Sequence, residues 1–176
     1  MEEKEMLPEW IELGRGLCYG GAGLAFGLAG AGSAWGISIA VHQCAGVLRE
    51  KPELFGRMLV MIALPGTQGF YGFIAAILIM TQTGLIGGSA IKITLGTGLA
   101  MFFVGLGCGI AQLISAIKQG EASAAGISLI ARRPEAAGRA ILFPAFVETY
   151  AVVGLLATVL FIIFLTQPLA LKFLGQ

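Results

Sequence analysis

Of 176 residues, 57% are hydrophobic and 12% charged, with no aspartate and a mean hydropathy of +0.88, which excludes an ordinary soluble globular domain. The net charge of +1, without any basic run interleaved with aromatics, excludes the electrostatic footprint of a nucleic-acid binder. Cys18, Cys44 and Cys108 have neither metal nor redox spacing and read as packing residues of helix walls.

The chain opens with an acidic segment, residues 1–12, in which Glu2, Glu3, Glu5, Glu9 and Glu12 outweigh Lys4. This is the reverse of the basic start of a secretory signal, so no cleaved leader is expected. Four apolar stretches follow, each long enough to cross a hydrocarbon core about 30 Å thick. The first covers residues 13–48. Its single histidine, His42, has no second ligand at metal spacing and reads as a solvated or partner-facing residue. After a basic loop with Arg49 and Lys51, the second stretch covers 54–80. There Leu64, Thr67, Gln68 and Tyr71 fall at i, i+3, i+4 and i+7, on one helical face. Pro65 lacks an N–H and disturbs the helical ladder beside Leu64, freeing backbone oxygens to face a site.

A short turn, Thr81 to Gly84, leads to the third stretch, 86–117, with helix-compatible sequence to about 131; it carries Gln112. A second basic loop, with Arg132, Arg133 and Arg139 nearby, precedes the fourth stretch, 138–167, which holds Glu148 near its middle. By the positive-inside rule both basic loops are cytoplasmic and both termini lie outside. The first and third helices are long enough to project into the cytoplasm.

Displacing the sequence against itself by 82 residues aligns Leu13, Gly16 and Leu17 with Leu95, Gly98 and Leu99, then Gly23 and Gly27 with Gly105 and Gly109. The same register pairs Ser33 with Ser115, Pro52 and Glu53 with Pro134 and Glu135, Arg57 with Arg139, and Gly72 with Gly154. Two tandem helical hairpins, residues 13–84 and 85–176, explain a single register held along the chain. Glycine makes up 27 residues, many in the odd helices. In lipid such residues serve close helix packing, and so many of them favour an oligomer over packing within a single four-helix bundle.

A charged Glu148 at mid-membrane costs on the order of 2.5–3.5 kcal/mol on insertion scales, so the acid is expected to work and to be neutralised by a proton or a cation. Its counterpart in the first hairpin is Gly66, and that of Gln112 is Gly30, so one site per chain is expected. A carboxylate, two amide oxygens, a hydroxyl and a carbonyl suit a dehydrated alkali cation better than a proton, which needs only the carboxylate and an acceptor. No GxxxxGK[ST] phosphate-binding loop is present, so ATP chemistry is not expected on this chain.

The segment LPGTQGFYG at residues 64–72, VETYA at 147–151, the ARRPE loop at 131–135 and the doubled hairpin together resemble the 16 kDa proteolipid, or K/c subunit, of V-type rotary ATPases, especially the sodium-pumping bacterial branch. The resemblance implies an all-α membrane protein assembled into a rotor ring of identical subunits, with glycine-rich odd helices inside and even helices outside, facing lipid. It implies a stator subunit that supplies an arginine, and central-stalk subunits at the cytoplasmic loops. Carried over by position, the Na+ ligands are the Leu64 carbonyl, Thr67, Gln68, Gln112 and Glu148, with Tyr71 bonded to the carboxylate. H+ as the carried ion, or a small secondary transporter with a midplane acid, are the alternatives.

Overall fold

The computed structural model describes residues 9–87 and 93–167. Residues 1–8 of the acidic segment, and the last nine residues assigned to the second hairpin, lie outside the described residues. Among the described residues, nine helical segments form four spans, each long and apolar enough to cross a membrane. The first span is α1, Glu9–Leu48. The second runs from a 3-10 turn at Pro52–Leu54 through α2, Phe55–Ala63, a further 3-10 turn at Leu64–Gly66, and α3, Thr67–Gln82. The third is α4, Leu95–Arg132, and the fourth runs from a 3-10 turn at Pro134–Ala136 through α5, Ala137–Ala140, to α6, Leu142–Leu165.

At 1.5 Å per residue, the 40 residues of α1 and 38 of α4 reach about 60 Å, roughly twice the hydrocarbon thickness. Both are longer than a single crossing requires. The third helix begins at Leu95, nine residues later than the apolar pattern suggests. Gly84 and Gly87 adopt positive φ, of 69° and 101°, which turns the chain, and the Thr94 hydroxyl then accepts from the Thr97 N–H as an N-cap. Hydropathy alone cannot see a cap.

α1 and α4 pack along each other, with the second and fourth spans laid against them. The α1–α4 seam is backbone on backbone. A Cβ on Gly21 would meet the Met101 carbonyl at 2.5 Å, and one on Gly32 would come within 2.6 Å of the Leu113 Cα. Glycines at Gly98, Gly105 and Gly120 lie directly on the Gly14, Gly21 and Gly36 backbone. Such contact replaces the hydrophobic drive that lipid does not supply. The three cysteines are buried among these helices as free thiols.

At the end bearing the basic loops, Ala40, Cys44, Met58, Met61, Ile127 and Ile130 form a buried cluster. Lys51 closes that end by donating to the Ala131 carbonyl at 2.6 Å, and the Gln43 amide donates to Ser128. His42 is tied to its own helix, its Nδ1 lying 2.6 Å from the Ser38 carbonyl.

Candidate functional site

Three spans meet around Glu148. Pro65 interrupts the second span with the 3-10 turn at Leu64–Gly66, where the Leu64 carbonyl accepts from both the Thr67 N–H and, at 3.1 Å, the Thr67 hydroxyl. One residue on, Gln68 is fully buried and points towards α4. Its amide donates to Gln119 Oε1 at 2.5 Å and lies 3.5 Å from the Ser115 hydroxyl, while its own oxygen is 3.4 Å from the Thr67 hydroxyl.

From the third span, Gln119, also fully buried, points its Nε2 at two oxygens of the fourth: the Pro144 carbonyl at 3.1 Å and Glu148 Oε2 at 3.2 Å. The second carboxylate oxygen, Oε1, accepts from the Tyr71 hydroxyl at 2.7 Å. Both oxygens of a half-buried carboxylate are therefore held by donors from two other spans. Among the described residues the ion pair is Lys118–Glu121, exposed on α4. None of the described side-chain cations forms an ion pair with Glu148.

Leu64, Thr67, Gln68, Tyr71 and Glu148 are thus brought together, but Gln112 is not brought to the carboxylate. Its Nε2 donates to the Ala151 carbonyl at 2.8 Å, and its Oε1 is buried without a partner. The α4 glutamine that reaches the carboxylate is Gln119. Both residues lie on one face of α4, seven residues or about 10 Å apart along the axis, so depth alone distinguishes them. That depth was readable in the sequence. Gln119 precedes Pro134 by fifteen residues and Glu148 follows it by fourteen, whereas Gln112 precedes it by twenty-two. Two antiparallel helices joined at Pro134 bring equal counts to equal height.

The chemistry on offer is a cluster of hard oxygens at mid-span: a carboxylate, two amides that present oxygen or nitrogen by a half-turn of the terminal torsion, a hydroxyl and a carbonyl. Four apolar spans around a carboxylate bonded across helices define a multi-pass membrane proteolipid with an intramembrane acid. The chain belongs to the ATP synthase C-subunit family, which it matches over residues 20–79 and 95–161, and it is a proteolipid of the A/V-type rotary ATPases, whose members are non-catalytic rotor subunits.

Over 143 residues it is 42% identical to the A-type ATP synthase subunit K of Methanocaldococcus jannaschii, covering 81% of this chain and 60% of that protein's length. Over 139 residues it is 39% identical to the V-type sodium ATPase subunit K of Enterococcus hirae, covering 76% of this chain and 82% of that protein.

Proposed function

We propose that this chain is a rotor-ring subunit in which Glu148 takes up one Na+ from an aqueous entrance, carries it as a neutral pair through the lipid-facing arc, and releases it where a stator arginine competes for the carboxylate. The observation that carries this reading is the convergence of Tyr71 from the second span and Gln119 from the third on the two oxygens of Glu148, with Gln68 bonded in turn to Gln119. The ligand set is the Leu64 carbonyl, Thr67, Gln68, Gln119 and Glu148, with Tyr71 fixing the carboxylate. Gln119 stands where the sequence suggested Gln112. The sodium ATPase named for the Enterococcus relative supports Na+ as the cargo.

The hairpins at 13–84 and 85–176 form two quasi-equivalent units of one ring subunit. The basic loops face the cytoplasm and the central stalk, and both termini lie on the far side of the cell membrane.

A carbodiimide that modifies protonated carboxyls tests the ion. In purified native protein, Glu148 is expected to be the modified residue, with Na+ slowing the reaction in a saturable way and Glu148→Gln abolishing it. Labelling at a rate independent of Na+ across the pH range would assign the carried ion as H+.

A further inference from the structure

The tandem repeat carries the observed α1–α4 contact across to a second copy, and this inference rests on the ring reading above. Within the chain, Gly21 lies on Gly105, Gly14 on Gly98, and Gly32 on Leu113. Adding 82 to the α1 member of each pair and subtracting 82 from the α4 member gives the equivalent contacts between α4 of one copy and α1 of the next. They are Phe103 on Gly23, Gly96 on Gly16, and Ile114 on Ala31.

Those residues are free to meet. Phe103 is 59% exposed and Ile114 is 55% exposed. A Cβ at Gly23 or Gly16 would touch nothing within 4 Å, whereas the glycines facing α4 within the chain are in backbone contact. Two of the three derived pairs set a bulky side chain opposite a small residue, Phe103 on Gly23 and Ile114 on Ala31. That complementarity is not imposed by the repeat, which conserves position and not size.

We infer that the face of α4 bearing Phe103 and Ile114 docks on the Gly16–Gly23–Ala31 face of α1 in a second copy of this chain, with the Phe103 ring seated over Gly23. The contact is heterologous, head to tail, as a closed ring requires. It differs from the α1–α4 contact inside the chain: a ring replaces glycine at the central position, so the helices stand further apart between copies than within one. In the outer layer, the pair equivalent to Tyr71 and Glu148 is Val153 and Gly66, so the next copy adds no carboxylate at the seam. The site around Glu148 is completed within one chain.

Disulfide cross-linking tests the register. In full-length protein carrying Cys18→Ala, Cys44→Ala and Cys108→Ala, the pair Phe103→Cys with Gly23→Cys is expected to yield, on oxidation, a ladder of covalent dimers, trimers and larger species on a denaturing gel. Gly27→Cys with Phe103→Cys, one turn away, is expected to stay monomeric. An intact ring by mass measurement with no ladder from the Gly23 pair, or with the ladder from the Gly27 pair instead, overturns the seam while leaving the ring reading standing. Native protein that forms no ring in mild detergent overturns both.

A size swap needs no cysteine. Gly23→Leu is expected to prevent assembly, and adding Phe103→Ala to restore it. A stable ring from Gly23→Leu alone overturns the seating of Phe103, as does failure of the swap to restore assembly.

Discussion

Replacing Gln119 by leucine, close to it in volume, removes the Nε2 donor to Glu148 Oε2 at 3.2 Å, its bond to the Pro144 carbonyl, and the acceptor of the Gln68 amide. A hydrogen bond to a charged group is worth about 1.5–3 kcal/mol, and on the proposed reading the loss of an oxygen ligand weakens the ion shell in the same direction. The concentration of Na+ that half-protects Glu148 from a carbodiimide is therefore expected to rise about ten- to a hundredfold, at about 1.4 kcal/mol per decade. The matched change Gln112→Leu removes one neutral bond to the Ala151 carbonyl together with an unpartnered buried oxygen. These effects oppose each other, so its midpoint is expected to move less than about threefold. Initial labelling rates across a Na+ series, measured side by side on native, Gln119→Leu and Gln112→Leu proteins, decide the matter. A midpoint displaced more by the Gln112 change than by the Gln119 change would refute the assignment.

Tyr71→Phe deletes the 2.7 Å bond to Glu148 Oε1 while keeping the ring. Assembly is expected to survive, with labelling of Glu148 several-fold faster at a given Na+ concentration; an unchanged rate would remove Tyr71 from the site. Gly105→Ala drives a methyl into the Gly21 backbone, where no rotamer relieves the clash, whereas Gly107→Ala meets nothing within 4 Å. The first is expected to cost several kcal/mol, within the range known for overpacked sites, and to lower the yield and thermal midpoint of the purified protein. The second is expected to leave both near native, and equal behaviour of the two would contradict the packing of α1 on α4.

The four spans were legible because apolar length is a direct reading of bilayer thickness, and the place of Glu148 was legible because an acid amid Phe143, Val147 and Val152 has no soluble explanation. Less was visible where two alternatives share one pattern. Gln112 and Gln119 lie on the same face, and the choice required counting residues from the Pro134 turn. Glycine content announced close packing, yet Gly14 and Gly21 are buried on α4 while Gly16, Gly23 and Gly27 are open. Both sets recur at helical spacing, and only the relative rotation of α1 and α4 separates them. The start of α4 at Leu95 was hidden for another reason: Thr94 and the glycine turn before it act through backbone geometry, to which hydropathy is blind.

The bonding of Glu148 also constrains how an ion enters and leaves on the proposed reading. Swinging the carboxylate out breaks its bonds from Tyr71 and Gln119, at about 1.5–3 kcal/mol each. If the departing group is charged, hydrocarbon adds on the order of 2.5–3.5 kcal/mol. Even the smallest sum, about 5.5 kcal/mol, keeps the open charged form to roughly one part in ten thousand. Against lipid, then, the site stays shut without a lid, because the cost of opening is built into the side chains that hold the ion. Facing a stator, a guanidinium can replace both donors with a bidentate pair and remove the hydrocarbon penalty at once. Release is thereby confined to the place where that cation stands, and a subunit elsewhere in the ring has no comparably cheap route to let its ion go.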